Sequence, residues 1–151
     1  TLSEGRGTTT PFELIGAPFI DPFALARELN GRELAGVRFR PHVFLPTFQK
    51  HAGATCGGVQ IMVTDRQQLR SVQLGIAVLC AIHKLWPDEL TWRTEAYEFV
   101  TDRLAIDLLL GVPGLREQIE AGEDERAICA HFAVYERQWR QATAAIRRYA
   151  D

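Results

Sequence analysis

The stretch SVQLGIAVLCAIHKL, residues 71 to 85, carries apolar side chains on nearly every face of a helix and is closed by Pro87. A helix of that composition cannot leave a long side in water. It reads as the central buried helix of the fold, and the rest of the chain must wrap it. With 151 residues the chain has enough material, since a single domain of this size buries roughly two thirds of the surface its unfolded chain exposes.

The covering elements are legible on both sides of that helix. Asp21 ahead of Pro22 is a cap with proline at the first helical position, and the helix it opens runs through FALARELN to a stop at Gly31. LIGAPFI, 14 to 20, reads as a short strand. From Val37 the chain alternates, with Val37, Phe39, Val43 and Leu45 expected on one side and Arg38, Arg40 and His42 on the other; Pro41 hints at an edge or a bulge. GVQIMVTD, 58 to 65, alternates too, placing Val59, Ile61 and Val63 toward the core and Gln60, Met62 and Thr64 outward. The two segments form an antiparallel pair with one wet face, joined by the long loop PTFQKHAGATCG, and long loops on rigid pairs often carry function.

Downstream, YEFV near residue 97 is expected to be a short strand, LAIDLLLG a helix ending at Gly111, and PGLREQIEAG a helix ending at Gly122. The longest element is expected from Asp124 to about Tyr149. There Ile128, Phe132, Tyr135, Trp139, Ala142, Ile146 and Tyr149 form a stripe that either docks on this domain or meets a partner. No internal repeat or low-complexity tract divides the chain. The expected fold class is therefore α+β: a small, mostly antiparallel sheet packed against several helices, with a long C-terminal helix. Residues 1–13 form an entry segment and 14–151 a single domain.

Charge and cysteine usage narrow the function. The formal net charge is −2, and the basic residues are nearly all arginine, Lys50 and Lys84 being the only lysines. They are scattered among acids, so neither a nucleic-acid surface nor a polybasic membrane surface is indicated. Three cysteines at wide spacing, Cys56, Cys80 and Cys129, exclude a disulfide framework and allow at most one bridge; Cys80 and Cys129 read as core packing. The four histidines show no metal-site spacing, so no metal is expected. No apolar run approaches the ~20 residues that span a bilayer, and no signal-peptide pattern is present.

Two groups of residues are suited to chemistry. Ser3, Glu4, Arg6 and Thr8 lie in the opening run SEGRGTTTPFE, where glycines on both sides of Arg6 let the backbone approach a ligand and the guanidinium offers a planar fork for a carboxylate. The plainer alternative is a tail or turn in which Arg6 pairs with Glu4 or Glu13. The second group is the wet sheet face, Arg38, Arg40, His42, Gln60 and Thr64, with Lys50, His51, Cys56 and Asp65 at its ends. Arginines on alternate strand positions repel, so Arg38 and Arg40 call for an anionic neighbour, either helix carboxylates such as Glu28 or Glu33 or the acid group of a ligand. A glycosidase needs two carboxyl groups roughly 5 to 9.5 Å apart. Glu4 has no evident second partner in this chain, so the chain reads as half of a site. No nucleophile elbow, phosphate loop or dinucleotide fingerprint is present.

Three blocks, SEGRGTTTPFELIGAPFID, FRPHVFLPTFQKHAGATCGGVQIMVTDR and IDLLLGVPGLREQIEAG, resemble successive blocks of the C-terminal domain of the NamZ-type peptidoglycan exo-β-N-acetylmuramidases, formerly a domain of unknown function. The resemblance covers essentially the whole chain. It implies an α+β domain preceded in the intact protein by a Rossmann-like domain absent here, with the active site in the cleft between them. It also implies removal of terminal N-acetylmuramic acid from the non-reducing end of peptidoglycan fragments, with no metal or organic cofactor. Thr1 in place of a starting methionine fits a fragment whose first residues line that cleft. The resemblance carries over to Ser3, Glu4, Gly5, Arg6, Gly7 and Thr8 of the first block and to Phe48, Lys50, Cys56, Gly58, Gln60, Thr64 and Asp65 of the second, and among these Ser3, Arg6, Thr8, Phe48, Lys50, Gln60 and Asp65 are the candidate substrate-binding residues. Arg40, on the same wet face, joins them as a candidate substrate-binding residue. Arg6 or Lys50 suits the lactyl carboxylate of the sugar, Glu4 is the candidate catalytic group here, and the principal carboxylates are expected on the absent domain. The family pattern often has histidine where this chain has Met62. A periplasmic or exported location is expected from the substrate, with a cytoplasmic recycling role as the alternative. A noncatalytic carbohydrate- or peptide-binding module is the rival function.

Overall fold

The apolar helix lies where its composition requires. The structure, a computed structural model, describes residues 1–149; the expected domain end at Asp151 lies outside them. In chain order the elements are β1 (Leu14–Ala17), α1 (Pro22–Gly31), β2 (Val37–Phe44), β3 (Cys56–Val63), α2 (Ser71–Leu85), α3 (Ala105–Leu110), α4 (Leu115–Glu120) and α5 (Glu125–Thr143), followed by a 3-10 turn over Ala144–Ile146. Ala77, Val78, Ala81 and Ile82 of α2 close one core with Leu25 and Leu29 of α1 and Val37, Phe39 and Val59 of the sheet. Ile76 and Cys80 close a second with Leu115 and Ile119 of α4 and Ile128 of α5. Two cores share one helix, which is why α2 is apolar nearly all round. The fold class is α+β, as expected.

The sheet is antiparallel throughout, in the order β1-β3-β2. Its tightest point is Gly57, where a Cβ would stand 2.0 Å from the Ile20 carbonyl oxygen, so the chain leaving β1 toward Asp21 passes against bare backbone. Asp21 Oδ1 accepts from the amides of Phe23 and Ala24 at 2.8 and 3.0 Å and opens α1 as expected. The stop differs slightly: Gly31 belongs to the helix, and the left-handed residue that turns the chain is Glu33.

Three expectations are corrected. Val43 and Leu45 are exposed while Phe44 is buried, although the β2–β3 register is unbroken. The alternation itself holds, but at this end of the sheet the other face is the covered one, where Leu14, Phe44 and Cys56 make a small cluster of their own. YEFV forms no strand. It is a tight turn closed by reciprocal Tyr97–Val100 backbone bonds, with Phe99 almost fully exposed and no neighbouring strand to pair with. The last helix ends at Thr143, and only the first part of its stripe docks. Ile128 is buried and Phe132 packs on the second core, whereas Tyr135, Trp139, Ile146 and Tyr149 face outward because no element of the domain extends beneath them. Among the described residues no helix is long and apolar enough to cross a membrane.

Candidate functional site

The opening residues, polar and glycine-rich, are fastened to the sheet. Ser3 exchanges two backbone hydrogen bonds with Gly16, at 2.8 and 3.1 Å, adding one rung to the outer edge of β1. Its hydroxyl accepts from the Gly5 amide at 3.2 Å and is buried. The chain then turns back on itself: Thr8 donates to the Gly5 carbonyl at 2.6 Å, and the Phe12 amide to the Glu4 carbonyl at 2.7 Å. Ser3 and Thr8 thus shape the turn with the hydroxyls that were candidates for a ligand.

The β2–β3 loop closes over this turn at three points. Thr47 donates its amide and hydroxyl to the Gly7 carbonyl at 3.1 and 3.0 Å, His51 Nε2 donates to the Thr1 carbonyl at 2.6 Å, and Lys50 Nζ donates to Glu4 Oε2 at 2.7 Å. Gly7 is required twice over. Its φ is 81°, and a Cβ would fall 2.6 Å from the Thr47 nitrogen. Three bulky residues at this junction also sit in the left-handed region, Phe12, Gln49 and His51, with φ of 68°, 69° and 59°. Such conformations persist only where surrounding contacts impose them, and they gather at functional sites.

At the centre is the Glu4 carboxylate. Arg6 Nε lies 3.1 Å from Oε1 while Lys50 holds Oε2. Partial burial pushes the Glu4 carboxyl up. The Lys50 hydrogen bond, the residue's own amide, and the charges of Lys50 and Arg6 more than reverse this, leaving it below the ordinary carboxylate value. Arg6 also lies over the Phe12 ring, 5.4 Å from its centroid. Glu4 is therefore an ionised group with both oxygens occupied, suited to stabilise positive charge and unsuited to donate a proton. The pairing of Arg6 with Glu4 is the one the plain-turn alternative foresaw; the addition is Lys50, brought in from 46 residues away.

The wet face of the sheet adjoins this cluster. Arg40 donates to Gln60 Oε1 at 2.5 Å, and Gln60 Nε2 donates to Glu13 Oε2 at 3.4 Å. Glu13 follows Phe12, which is bonded to Glu4. Arg40, Gln60 and Glu4 are thus joined through the entry turn. Phe48 stands exposed in the loop beside Gly7. Asp65 does not join them. It lies past the far end of β3, and its carboxylate is held below its ordinary value by the Gln67 amide and by the side chain and amide of Gln68. The pairing proposed for Arg38 and Arg40 with helix acids is not made, because Glu28 is bound by Arg32 and Lys84.

Phe12 and Thr47 escaped the sequence reading, and Glu13 entered it only as a partner for Arg6. Their roles follow from backbone turns that leave no periodic signal. Cys56, at the root of the loop, is buried, its thiol pushed up by burial and turned to the Ala54 carbonyl, so it is no nucleophile. All three cysteines are free. Among the described residues no three histidine, cysteine or acidic side chains stand together as a metal site. A groove of about 710 Å³ lies elsewhere, between the start of α2, the end of α3 and α5; Val72, Leu110, Phe132 and Tyr135 line much of it.

Residues 1–149 match the family described as exo-beta-N-acetylmuramidase NamZ, C-terminal. The chain belongs to that family. It is 41% identical over 148 residues to the peptidoglycan beta-N-acetylmuramidase NamZ of Bacillus subtilis (strain 168), covering 98% of this chain and 33% of that protein. Its fold superposes with a TM-score of 0.79 on the crystal structure of a DUF1343 family protein from Bacteroides fragilis, at 22% identity, covering 99% of this chain and 38% of the other. The chain thus spans about a third of the length of the proteins it matches. The resemblance drawn from the three sequence blocks was to this NamZ C-terminal family.

Proposed function

We propose that the chain is the substrate-completing C-terminal domain of a peptidoglycan exo-β-N-acetylmuramidase, which removes terminal N-acetylmuramic acid from the non-reducing end of the glycan. The observation that carries this is the junction of the entry turn with the β2–β3 loop, where Glu4 is held ionised between Arg6 and Lys50 on strained backbone. Relatives about three times as long leave ample polypeptide for a second wall, from which the other carboxyl group of a glycosidase would come.

In this assignment Glu4 supplies a fixed negative charge toward an oxocarbenium-like transition state. Arg6 and Lys50 keep it ionised, and Gln60, Arg40 and Phe48 contact the sugar. Ser3 and Thr8 set the turn. The chain by itself turns over little or nothing. A periplasmic or exported setting follows from the substrate.

The test is release of N-acetylmuramic acid from a chromogenic glycoside by the full-length protein. Arg6→Ala is expected to lower turnover by about 100-fold, in keeping with the loss of a positioned charge-assisted contact. Full turnover by that variant overturns the assignment of the site, and no turnover of any amino-sugar glycoside by the intact protein overturns the activity. A noncatalytic saccharide-binding module is the second possibility, favoured by the occupied oxygens of Glu4; it predicts sugar binding with no effect of Arg6→Ala on hydrolysis of small soluble substrates.

A further inference from the structure

We propose that Arg40, backed by Arg38, is a carboxylate-recognition site on the open sheet face, and that it, rather than Arg6 or Lys50, receives the acid group of an acidic saccharide. This rests on the assignment above for the identity of the saccharide, and on charge and register for the site. Arg6 and Lys50 share the single carboxylate of Glu4, which offsets one of their two positive charges, and each commits a donor to it. Arg40 commits none to an acid. Its terminal nitrogen is bonded to a neutral amide oxygen, that of Gln60, and among the described residues the Arg38 guanidinium bonds only the Val37 carbonyl, at 2.9 Å.

The cross-strand neighbours are neutral as well: Met62 opposite Arg38, Gln60 opposite Arg40 and Gly58 opposite His42. No ion pair reaches either arginine among the described residues. Two like charges on alternate positions of one strand face repel, and a bound carboxylate relieves that repulsion while accepting the two parallel N–H bonds a guanidinium offers. Gln60 orients the Arg40 fork and connects it through Glu13 to the turn that holds Glu4. The site therefore separates two tasks, acid recognition on the sheet and a fixed carboxylate at the junction. Its ligand is a saccharide bearing a carboxylate, and a neutral acetamido sugar lacks the feature it recognises.

The probes are N-acetylmuramic acid and N-acetylglucosamine, which differ by the lactyl ether, titrated into the chain while the arginine side-chain N–H signals are followed by NMR. The acidic sugar is expected to shift Arg40 and the neutral one to leave it in place. Arg40→Gln, an exposed position whose folding is checked by circular dichroism, should weaken binding of the acidic sugar about 10- to 100-fold, the scale for losing a hydrogen bond to a charged group. Lys50→Met and Arg6→Met should weaken it less than Arg40→Gln does, since neither removes the proposed direct contact. Absence of an acid-dependent shift at Arg40, or loss of binding in Lys50→Met or Arg6→Met but not in Arg40→Gln, overturns the proposal. Turnover by the full-length protein separates the two claims. Hydrolysis with an acid preference unchanged in Arg40→Gln rejects the recognition site alone, and acid binding at Arg40 without hydrolysis rejects the activity alone.

Discussion

Arg32→Met is expected to be among the most destabilising single substitutions in this domain, and the size of the effect follows from what it leaves behind. Glu125, the first residue of α5, has a side chain only 1% exposed, and its near partner is Arg32, itself 13% exposed. Arg32 also bonds Glu28 at 3.0 Å, and its Nε is buried without a partner. When the guanidinium is removed, Glu28 keeps Lys84 at 2.9 Å, but Glu125 retains only Arg126, 4.0 Å away and largely in solvent. Breaking a buried pair from one side costs about 3–5 kcal/mol, a large share of the roughly 5–15 kcal/mol that holds a domain together. For a domain of this length that corresponds to a fall in Tm of about 10 °C. Urea unfolding followed by tryptophan fluorescence measures it directly. Arg32→Met/Glu125→Leu should recover most of the loss, because replacing both ions by apolar groups removes the stranded charge. A loss below about 1 kcal/mol in the single variant, or no recovery in the double one, refutes the claim that α1 and α5 are joined by a desolvated ion pair.

Further outcomes are expected. Lys50→Met should raise the titration midpoint of Glu4, read by carbon-detected NMR. Because the folded value is depressed, the stabilisation from this cluster is present above the ordinary carboxylate pKa and lost as pH falls through the lowered folded value. Gly57→Ala drives a methyl to 2.0 Å from the Ile20 carbonyl oxygen and should cost about 3 kcal/mol or more in chemical denaturation, since backbone cannot yield as a side chain does. Trp139→Glu should leave stability within about 0.5 kcal/mol, since the ring is 69% exposed; an unfolded variant would mean the outer half of α5 is core after all. Alkylation of Cys80 at pH 8 should be at least about tenfold slower in the folded chain than in urea, because burial pushes its thiol up to about 11.

The elements were legible where one physical preference acted alone. Asp21 before Pro22, the all-round apolar α2 and the alternating strands each reflect a single local rule, and each element stands where its residues put it, although Val63, expected toward the core, is exposed at the end of β3. Val43 and Leu45 were misassigned because one alternating strand serves two cores on opposite faces. Periodicity gives parity and says nothing of which face is covered at each end. The α5 stripe divides for a related reason: an apolar row shows what a helix offers, and only the fold shows that docking stops after Phe132. At the site, Glu4, Arg6 and Lys50 were singled out as residue types. Their meeting depends on left-handed turns at Phe12, Gln49 and His51, of which only the histidine has any leaning toward that conformation.

Those turns explain why a segment of glycines and threonines holds its place without a core of its own. Residues 4 to 10 bury little apolar surface, so their order comes from hydrogen bonds to the β2–β3 loop and from the Glu4 ion pairs. Contacts of that kind, at a partly exposed junction, are individually weak and depend on one another. Removing the Lys50 ammonium therefore should loosen the turn as well as free an oxygen of Glu4, whereas Lys50→Arg should keep the turn ordered. Amide exchange separates the two effects. If the Phe12 and Thr47 amides, which bond Glu4 and Gly7, exchange no faster in Lys50→Met than in the parent chain, the ion pair is a bystander and the backbone bonds alone hold the junction.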